Sequence, residues 1–372
     1  MLMVNKTQHI ILLCIFFILT ADALPQKRLP IIDMHMHARK ADQYGPPPVP
    51  MCAPVEKMPV WDQSKSILEA MGQSPPCKNP VWSPKTDEEV FEQTVAVMKK
   101  YNIVGMLGGK PELVKKWMDA APGRFIAGLD FRLDRATTVT SSDRNKPMSP
   151  DEMRAFYKSG GFTVLGEVLN QYAGIAPDDE RMEPYWALAE ELEIPVGIHI
   201  GGGGPGEVYL GNNKFRARLQ SALTLEEVLV RHPKLRIYIM HMGYPLLDDL
   251  LAVLFNYPQV YVEVSPIANV EPRAAFYRYL KAIVEGGYGD RVMFGSDQMV
   301  WAGVIEPAIK SIENAPFLNR QQKRDIFYNN AARFLRLSKE EIARHHNMQP
   351  RQKRNKPRRT AKTQVKWATG NF

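Results

Sequence analysis

This sequence of 372 residues has few cysteines and no long apolar run, and outside one basic segment its positive and negative charges nearly balance. A membrane-spanning helix needs about 20 apolar residues, and the longest apolar run extends only from Ile10 to Leu19. The net charge is +8, but the segment from Arg351 to Lys366 holds eight Lys and Arg and no acidic residue, so eight minus eight leaves the remainder near neutral. The sequence therefore predicts no stable membrane span and no specific nucleic-acid binding.

The first residues predict an export signal. A polar start with Lys6 precedes the apolar run, and Ala21-Asp22-Ala23 has the small-x-small form of a cleavage site. We therefore expect residues 1–23 to be a signal peptide and the mature chain to start near Leu24. The expected location is periplasmic or secreted.

Only three cysteines are present, and Cys14 lies in the apolar run. Cys52 and Cys77 remain after cleavage and fall in one irregular segment. In an oxidising compartment such a pair is expected to form a disulfide. Two free thiols are the alternative.

The segment from Arg39 to Lys85 is crowded with proline and carries Trp61 and Trp82. Proline at this density excludes long helices and central strands. A loop of this length inside a compact domain is uncommon and is usually functional. We interpret residues 39–85 as a lid or wall over a functional site, with a surface embellishment far from the chemistry as the alternative.

From Thr86 onward, apolar strand-like runs alternate with helical segments whose starts carry capping residues. With the opening stretch from Ile31 to Ala38 they make eight predicted strands. The other seven are Ile103 to Leu107, Phe125 to Phe131, Phe162 to Leu169, Pro195 to Ile200, Arg236 to Gly243, Gln259 to Ser265 and Arg291 to Asp297.

Near-continuous Val, Ile and Leu runs that alternate with helices indicate a parallel sheet covered on its outer face. We therefore predict an α/β fold: a (β/α)₈ TIM barrel over residues 24–347, with the Pro-rich insertion after strand 1. A doubly wound open sheet is the alternative. Residues 348–372 are basic and polar, and they predict a disordered tail that either contacts a polyanion or membrane surface or is merely solvated.

Polar residues gather at the predicted strand ends. Alternation along a strand places Asp33, His35 and His37 on one side, where Asp33 can orient a ligand ring by accepting its distal N–H. The later strands contribute Glu167, His199, His241 and Asp297. Because the carboxyl ends of barrel strands meet at one rim, four histidines and two further carboxylates predict a divalent-metal site.

Several stretches resemble the amidohydrolase superfamily, specifically the amidohydrolase-related branch that includes aminocarboxymuconate semialdehyde decarboxylase. They are IIDMHMH, LGEVLNQYAG, PVGIHIGGGGPG, RIYIMHMGYP, RVMFGSDQ and the terminal helix NNAARFLRL. The resemblance covers about Leu29 to Leu337. The relatives differ in how they use the glutamate on the fourth strand, which is Glu167 here. TatD-type hydrolases use it as a metal ligand, whereas several one-metal decarboxylases do not.

The resemblance implies one or two divalent ions, with zinc preferred. The implied ligands are His35, His37, His199 and Asp297, with Glu167 as a further ligand. His241 would then act as an acid or hydrogen-bond donor to the substrate, or it would bind a second ion.

A bound zinc ion lowers the pKa of its water to about 7 and polarises a carbonyl. Asp297 can accept the water proton and His241 can stabilise the oxyanion, so we predict hydrolysis of an amide, ester or lactone of a small molecule. One alternative is non-oxidative decarboxylation of an aromatic or unsaturated carboxylate, although export slightly favours hydrolysis. The other alternative is a non-catalytic exported binding protein.

Substrate contacts are predicted in the glycine-rich loop after His199. Backbone N–H groups at Gly202 and Gly203 could meet an anionic group, with a flexible turn as the alternative. Arg216, with Arg218 and Arg132 as further candidates, could pair with a carboxylate. A homodimer is the default expectation for the oligomeric state.

Overall fold

The computed structural model describes residues 28–67, 77–135 and 146–348. The predicted signal peptide and, apart from Met348, the predicted basic tail lie outside the described residues.

Parallel strands follow one another around the described part of the chain in sequence order. The strands are β1 (Ile31–His37), β2 (Pro50–Met51), β3 (Val81–Trp82), β4 (Ile103–Gly108), β5 (Phe125–Phe131), β6 (Val164–Val168), β7 (Val196–His199), β8 (Ile237–Met240), β9 (Tyr261–Glu263) and β10 (Val292–Met293). Eight of them pair in the order β1-β4-β5-β6-β7-β8-β9-β10, all parallel, and β2 pairs only with β3.

The two ends of this sheet are joined by backbone hydrogen bonds. Met34 N–H donates to the Phe294 carbonyl over 2.9 Å, and Asp297 N–H donates to the His35 carbonyl over 2.8 Å. The sheet is thus a nearly closed barrel, which confirms the predicted fold. Its strands are buried almost throughout, as expected for a parallel sheet whose outer face is covered by helices.

Helices separate the strands. In the described residues they are α1 (Asp87–Tyr101), α2 (Pro111–Ala120), α3 (Pro150–Lys158), α4 (Glu183–Glu191), α5 (Glu226–Arg231), α6 (Leu247–Asn256), α7 (Ile267–Val270), α8 (Arg273–Ile283), α9 (Ile305–Glu313), α10 (Arg320–Arg324), α11 (Asn330–Phe334) and α12 (Lys339–Asn347). Thr86 caps α1 through a reciprocal bond pair with Glu89, as its sequence predicts. Within the described ranges no helix has both the length and the apolarity needed to cross a membrane.

Two predicted strands end at least three residues earlier than expected. The runs were predicted to extend to Gly243 and Asp297, but β8 ends at Met240 and β10 at Met293. His241 has φ 64° and Asp297 has φ 48°, so both residues leave the extended conformation. These left-handed residues turn the chain away from the ladder and leave both side chains at the carboxyl end of the barrel.

The proline-rich insertion lies against this same end. The ribbon of β2 and β3 is accompanied by a disulfide between Cys52 and Cys77. Trp301 Nε1 donates to the Val49 carbonyl over 2.8 Å, and Val55 N–H donates to the Val270 carbonyl over 2.7 Å. The insertion is therefore attached to the loops that follow β10 and β9.

Replacing both Cys52 and Cys77 with Ser is expected to loosen the insertion while leaving the barrel folded. The bond joins residues 25 apart, and closing a loop of that size is worth about 3 kcal/mol in the chain-entropy model. Urea unfolding of parent and variant, each with and without reductant, would measure the loss. Reductant should affect only the parent, and two freely titrating thiols in the unreduced parent would contradict the bond.

Candidate metal centre

Four side chains bring one atom each to a common point at the carboxyl end of the barrel. The Nε2 atoms of His35 and His37 lie 3.0 Å apart. Glu167 Oε2 lies 3.6 and 3.5 Å from these two nitrogens. Asp297 Oδ1 lies 3.7 and 3.1 Å from them. We call His35, His37, Glu167 and Asp297 the first ligand group.

The spacing within this group matches a metal-binding cage. Ligand atoms placed tetrahedrally at about 2.1 Å from an ion are roughly 3.4 Å from one another. The distances given above, from 3.0 to 3.7 Å, scatter around that value. Glu167 and Asp297 each therefore lie at ligand spacing from the two imidazole nitrogens that an ion at this point would use.

A second ligand group consists of Glu167, His199 and His241. Glu167 Oε1 lies 2.7 Å from His199 Nδ1 and 3.3 Å from His241 Nε2, and the two imidazole nitrogens are 2.8 Å apart. Glu167 thus reaches both groups, with a different oxygen in each. The resemblance placed His199 beside His35 and His37, whereas the structure groups its Nδ1 with His241 and Glu167. A third set, His35, His241 and Asp297, also has its ligand atoms within 4.8 Å of one another and connects the two groups.

The chemistry of these side chains fits a cation. The six residues are buried, none more than 7 % exposed. Asp297 Oδ1 and His199 Nε2 have no hydrogen-bond partner among the described residues, and buried polar atoms are normally paired. Imidazole nitrogens that face one another and carboxylate oxygens around a common point are the donors that bind divalent transition metals.

The electrostatics of the cluster also favour positive charge. Burial alone would raise the pKa of Asp297, but the charges of His35 and His37 outweigh it and hold that pKa below its usual range. Burial likewise opposes charge on His35, yet Asp297 and Glu167 raise its pKa well above the usual value. Burial and the neighbouring His241 lower the pKa of His199. Positive charge beside the carboxylates of Asp297 and Glu167 thus favours their ionised form, and a bound cation would supply such charge.

Glu263 fixes the orientation of His35. The His35 Nδ1 lies 3.1 Å from Glu263 Oε2 and 3.0 Å from Ser265 Oγ, and the serine hydroxyl donates to the same carboxylate over 2.9 Å. A proton on Nδ1 that is donated to Glu263 leaves the Nε2 lone pair facing the cluster, as in metal sites generally. Gly295 provides the space for Glu263, because a Cβ at that position would collide with its carboxylate.

The prediction that Asp33 orients a ligand ring is wrong. Its Oδ1 accepts the backbone N–H of His35 over 3.1 Å and that of Ser296 over 3.0 Å, so it joins β1 to the loop after β10. Glu263 takes the predicted role and was missed by sequence reasoning. The signal available in the sequence was a glutamate in an otherwise apolar strand, Tyr261–Glu263. In the structure Glu263 is fully buried.

A backbone carbonyl fixes the orientation of His241. Its Nδ1 lies 2.7 Å from the Ser265 carbonyl, which can only accept a hydrogen bond, so Nδ1 carries the proton. Nε2 then faces Glu167 and His199. The side chain is thus held with one nitrogen toward the second ligand group and the cavity.

Arg39 and Asp130 support the first ligand group from the side, and both were missed by sequence reasoning. Arg39 lies 2.6 Å from Asp130 Oδ2 and 3.0 Å from His37 Nδ1. Asp130 Oδ1 accepts the backbone N–H of Glu167 over 3.1 Å. This chain of contacts connects the ends of β1, β5 and β6.

The cluster opens into a cavity of about 1510 Å³, which includes His37, Glu167, His199, His241 and Asp297 in its wall. Residues of the insertion and of the segments after β4, β5, β6, β7, β8, β9 and β10 form much of the remaining wall. The predicted lid or wall segment therefore does border the site.

The predicted substrate contacts agree with the structure only in part. Gly202 and Gly203 line the cavity, but Gly202 N–H already donates to the Tyr244 carbonyl over 3.1 Å. Gly204 N–H donates to Glu207 over 3.1 Å, so a carboxylate of the chain itself occupies part of the loop. The Gly202 N–H is therefore not free to bind an anionic substrate, while the contact predicted at Gly203 stays a prediction.

Of the three arginines predicted as substrate contacts, one lines the cavity and two do not. Arg216 is exposed and donates to the carbonyls of Asn213 and Phe215, and neither it nor Arg218 belongs to the cavity wall formed by the described residues. The prediction of a substrate contact at Arg216 is therefore wrong. Arg132 does line the cavity, where it makes two bonds of 2.8 Å to Asp134.

A parallel barrel with a buried histidine and carboxylate cluster at the carboxyl ends of its strands is typical of metal-dependent enzymes. The amidohydrolase family model matches residues 32–337, and the chain belongs to this family. Members of the family are enzymes, and the family implies a small-molecule substrate. Together with the cluster, family membership indicates a divalent metal.

Solved structures similar to the chain include an uncharacterised TIM-barrel protein from Bordetella bronchiseptica, with 18 % identity, a TM-score of 0.50, and coverage of 85 % of this chain and 100 % of that one. This likeness concerns the fold alone. A probable 2-pyrone-4,6-dicarboxylic acid hydrolase from Acinetobacter baumannii has 14 % identity and a TM-score of 0.49, covering 82 % and 99 %. A 5-carboxyvanillate decarboxylase from Sphingomonas paucimobilis has 15 % identity and a TM-score of 0.47, covering 84 % and 100 %. A search of curated protein sequences gave no match.

Replacing Glu263 with Gln is expected to weaken metal binding about tenfold to a hundredfold, because His35 loses the ionised acceptor that holds its ring. Competition with a coloured chelator would measure the affinity. Glu271→Gln is the matched control, since Glu271 lines the same cavity but is bonded to the Tyr244 hydroxyl over 3.1 Å. Equal affinities in the two variants would contradict the role of Glu263.

Proposed function

We propose that this protein is a metal-dependent hydrolase that attacks the carbonyl of a small-molecule ester, amide or lactone with water. The observation that carries the proposal is the position of Glu167, whose two oxygens reach two separate ligand groups. A carboxylate shared in this way supports a site for two divalent ions, and two-metal sites are common in hydrolytic enzymes. Nitrogen and oxygen donors favour zinc.

The ions, when bound, would lower the pKa of water and polarise the substrate carbonyl. The other contributions come from the chain itself. Asp297 Oδ1 is buried and has no hydrogen-bond partner in the described part of the chain, so it is placed to accept the water proton and pass it to the leaving group. His241 presents Nε2 toward Glu167, His199 and the cavity, where it would hold the second ion. With a single ion bound, a protonated Nε2 would instead donate to the developing oxyanion.

Decarboxylation is the second candidate. Arg39, Arg132 and Lys110 line the same cavity, and such cations would attract a carboxylate substrate. In that reaction His241 or Asp297 would deliver a proton to carbon. The shared carboxylate of Glu167 has no evident part in this chemistry, and hydrolysis therefore remains the proposal.

Two assays on the zinc-loaded protein separate these reactions. Hydrolysis predicts release of p-nitrophenolate from p-nitrophenyl acetate or opening of γ-butyrolactone, with loss of both when the metal is removed by chelation. Release of carbon dioxide from a panel of aromatic carboxylates, without hydrolysis of either carbonyl substrate, would overturn the proposal in favour of a decarboxylase. Neither reaction in a metal-loaded protein would favour a binding protein.

We also propose that the protein is exported. The apolar run and small-x-small site before Leu24 support this, and so does the disulfide between Cys52 and Cys77, because such bonds persist in oxidising compartments. The mass of the protein recovered from the periplasm or medium should match a chain that starts near Leu24. Full-length protein found only in the cytoplasm would contradict export.

A further inference from the structure

The cavity has two chemically different sides. Lys110, Lys116, Arg132 and Arg135 line it near the loops that follow β4 and β5. On the side of the insertion its wall carries many apolar residues beside the polar Lys40, Gln43 and Tyr44. The apolar residues there are Met51, Val55, Met58, Pro59, Leu210, Ile267, Val270, Met299 and Trp301.

The insertion contributes to the apolar side and contacts the segments after three strands at the rim. It is bonded at Val49 to Trp301, after β10, and at Val55 to Val270, after β9. Farther along, the Trp61 ring lies 5.0 Å from the ring of Tyr209, which follows β7. These three attachments place Met58 and its neighbours between the cluster and solvent.

Two residues at the outer edge of this side remain open to water. Met58 is 49 % exposed and Leu210 is 36 % exposed, although both line the cavity. Ligand sites usually enclose about 300 to 1,000 Å³, so the cavity of about 1510 Å³ exceeds the space that a single small ring or acetyl group would fill. Apolar surface left partly exposed beside a polar site is typical of a binding surface.

We propose that the apolar side of the cavity binds a hydrocarbon part of the substrate, an acyl chain of several carbons attached to the carbonyl that reaches the metal cluster. Continuity of the apolar wall with the cluster supports this assignment, because one cavity contains both. The inference rests on the proposed function for the identity of the reacting group. Binding of the acyl chain to the apolar side does not itself depend on hydrolysis.

Binding and catalysis should both depend on chain length. Isothermal titration is expected to give octanoate a dissociation constant at least about tenfold lower than acetate, since each buried methylene contributes favourably and the shared carboxylate cancels. The ratio of kcat/KM for p-nitrophenyl hexanoate over acetate should also reach at least about tenfold. Both measurements use the purified, metal-loaded full chain.

Variants test whether the apolar side is responsible. Combining Met58→Gln with Leu210→Asn is expected to lower both preferences to about threefold or less. Val60→Gln is the matched control, because Val60 is 85 % exposed and does not belong to the cavity wall that the described residues form. Circular dichroism would establish that each variant folds.

The outcomes separate this inference from the proposed function. Ester hydrolysis without any preference for the longer chain, together with equal binding of acetate and octanoate, would overturn the inference alone. Tighter binding of octanoate in a protein that hydrolyses no ester would overturn the proposed function and support the apolar subsite. An unchanged preference in the double variant would also contradict the inference.

Discussion

Asp297→Asn is expected to lower kcat by about a thousandfold, with little change in the fold. The substitution removes the negative charge of the carboxylate whose Oδ1 lies 3.1 Å from His37 Nε2 and 3.7 Å from His35 Nε2. An amide in its place cannot accept the water proton and is a much weaker metal ligand. Asn tolerates the left-handed backbone that Asp297 adopts at φ 48°, so the loop after β10 should keep its conformation. Initial rates on the ester, with metal content determined for the same sample, would measure the effect.

The control for this variant is Asp290→Asn, an exposed aspartate outside the cavity wall of the described chain, which should retain parental activity. Comparable thermal unfolding of the three proteins would show that the loss is local. Parental activity in Asp297→Asn would contradict the role of the carboxylate in both the metal centre and proton transfer.

Glu167→Gln is expected to remove one ion and about a hundredfold or more of the activity. The amide nitrogen cannot bind a cation, so at most one of the two ligand groups keeps an oxygen from this residue. The parent should bind two ions per chain and the variant no more than one. Elemental analysis after removal of free metal would measure both.

Glu207→Gln serves as the comparison for this change. Glu207 also lines the cavity, but it is bonded to Gly204 N–H and Asn212 rather than to the cluster. Its metal content should equal that of the parent. Two ions retained in Glu167→Gln would show that this carboxylate does not bridge the ligand groups.

The sequence predicted the barrel and the six clustered side chains because both follow from local patterns. Apolar runs alternating with helical segments determine the strands, and parallel strands necessarily bring their carboxyl ends to one rim. His35, His37 and Asp297 could therefore be assigned to one site before their distances were known.

Contacts between distant strands could not be predicted in the same way. Glu263 lies 228 residues from the His35 ring that it orients. Its place in an apolar strand marks it as unusual but does not say which side chain it contacts, and Asp33, two residues from His35, was the simpler choice. The hydrogen bonds of Asp33 to two backbone N–H groups follow only from how β1 meets the loop after β10.

The error at Arg216 has a similar cause. Its loop follows β7 closely in sequence, which suggested that it borders the site. Arg216 itself is exposed, and its guanidinium bonds to neighbouring carbonyls, although Glu207 of the same loop lines the cavity. Which residues of a loop face the cavity depends on tertiary packing, and the apolar periodicity of the sequence contains no information about it.

The most direct test of the metal centre is the metal content per chain of the purified protein, beside a variant with His35 and His37 both replaced by Ala. We predict two divalent ions in the parent and the loss of the ion in the first ligand group from the variant. A parent that binds no divalent ion after expression and purification with ample zinc would contradict the metal centre, and the hydrolase proposal with it.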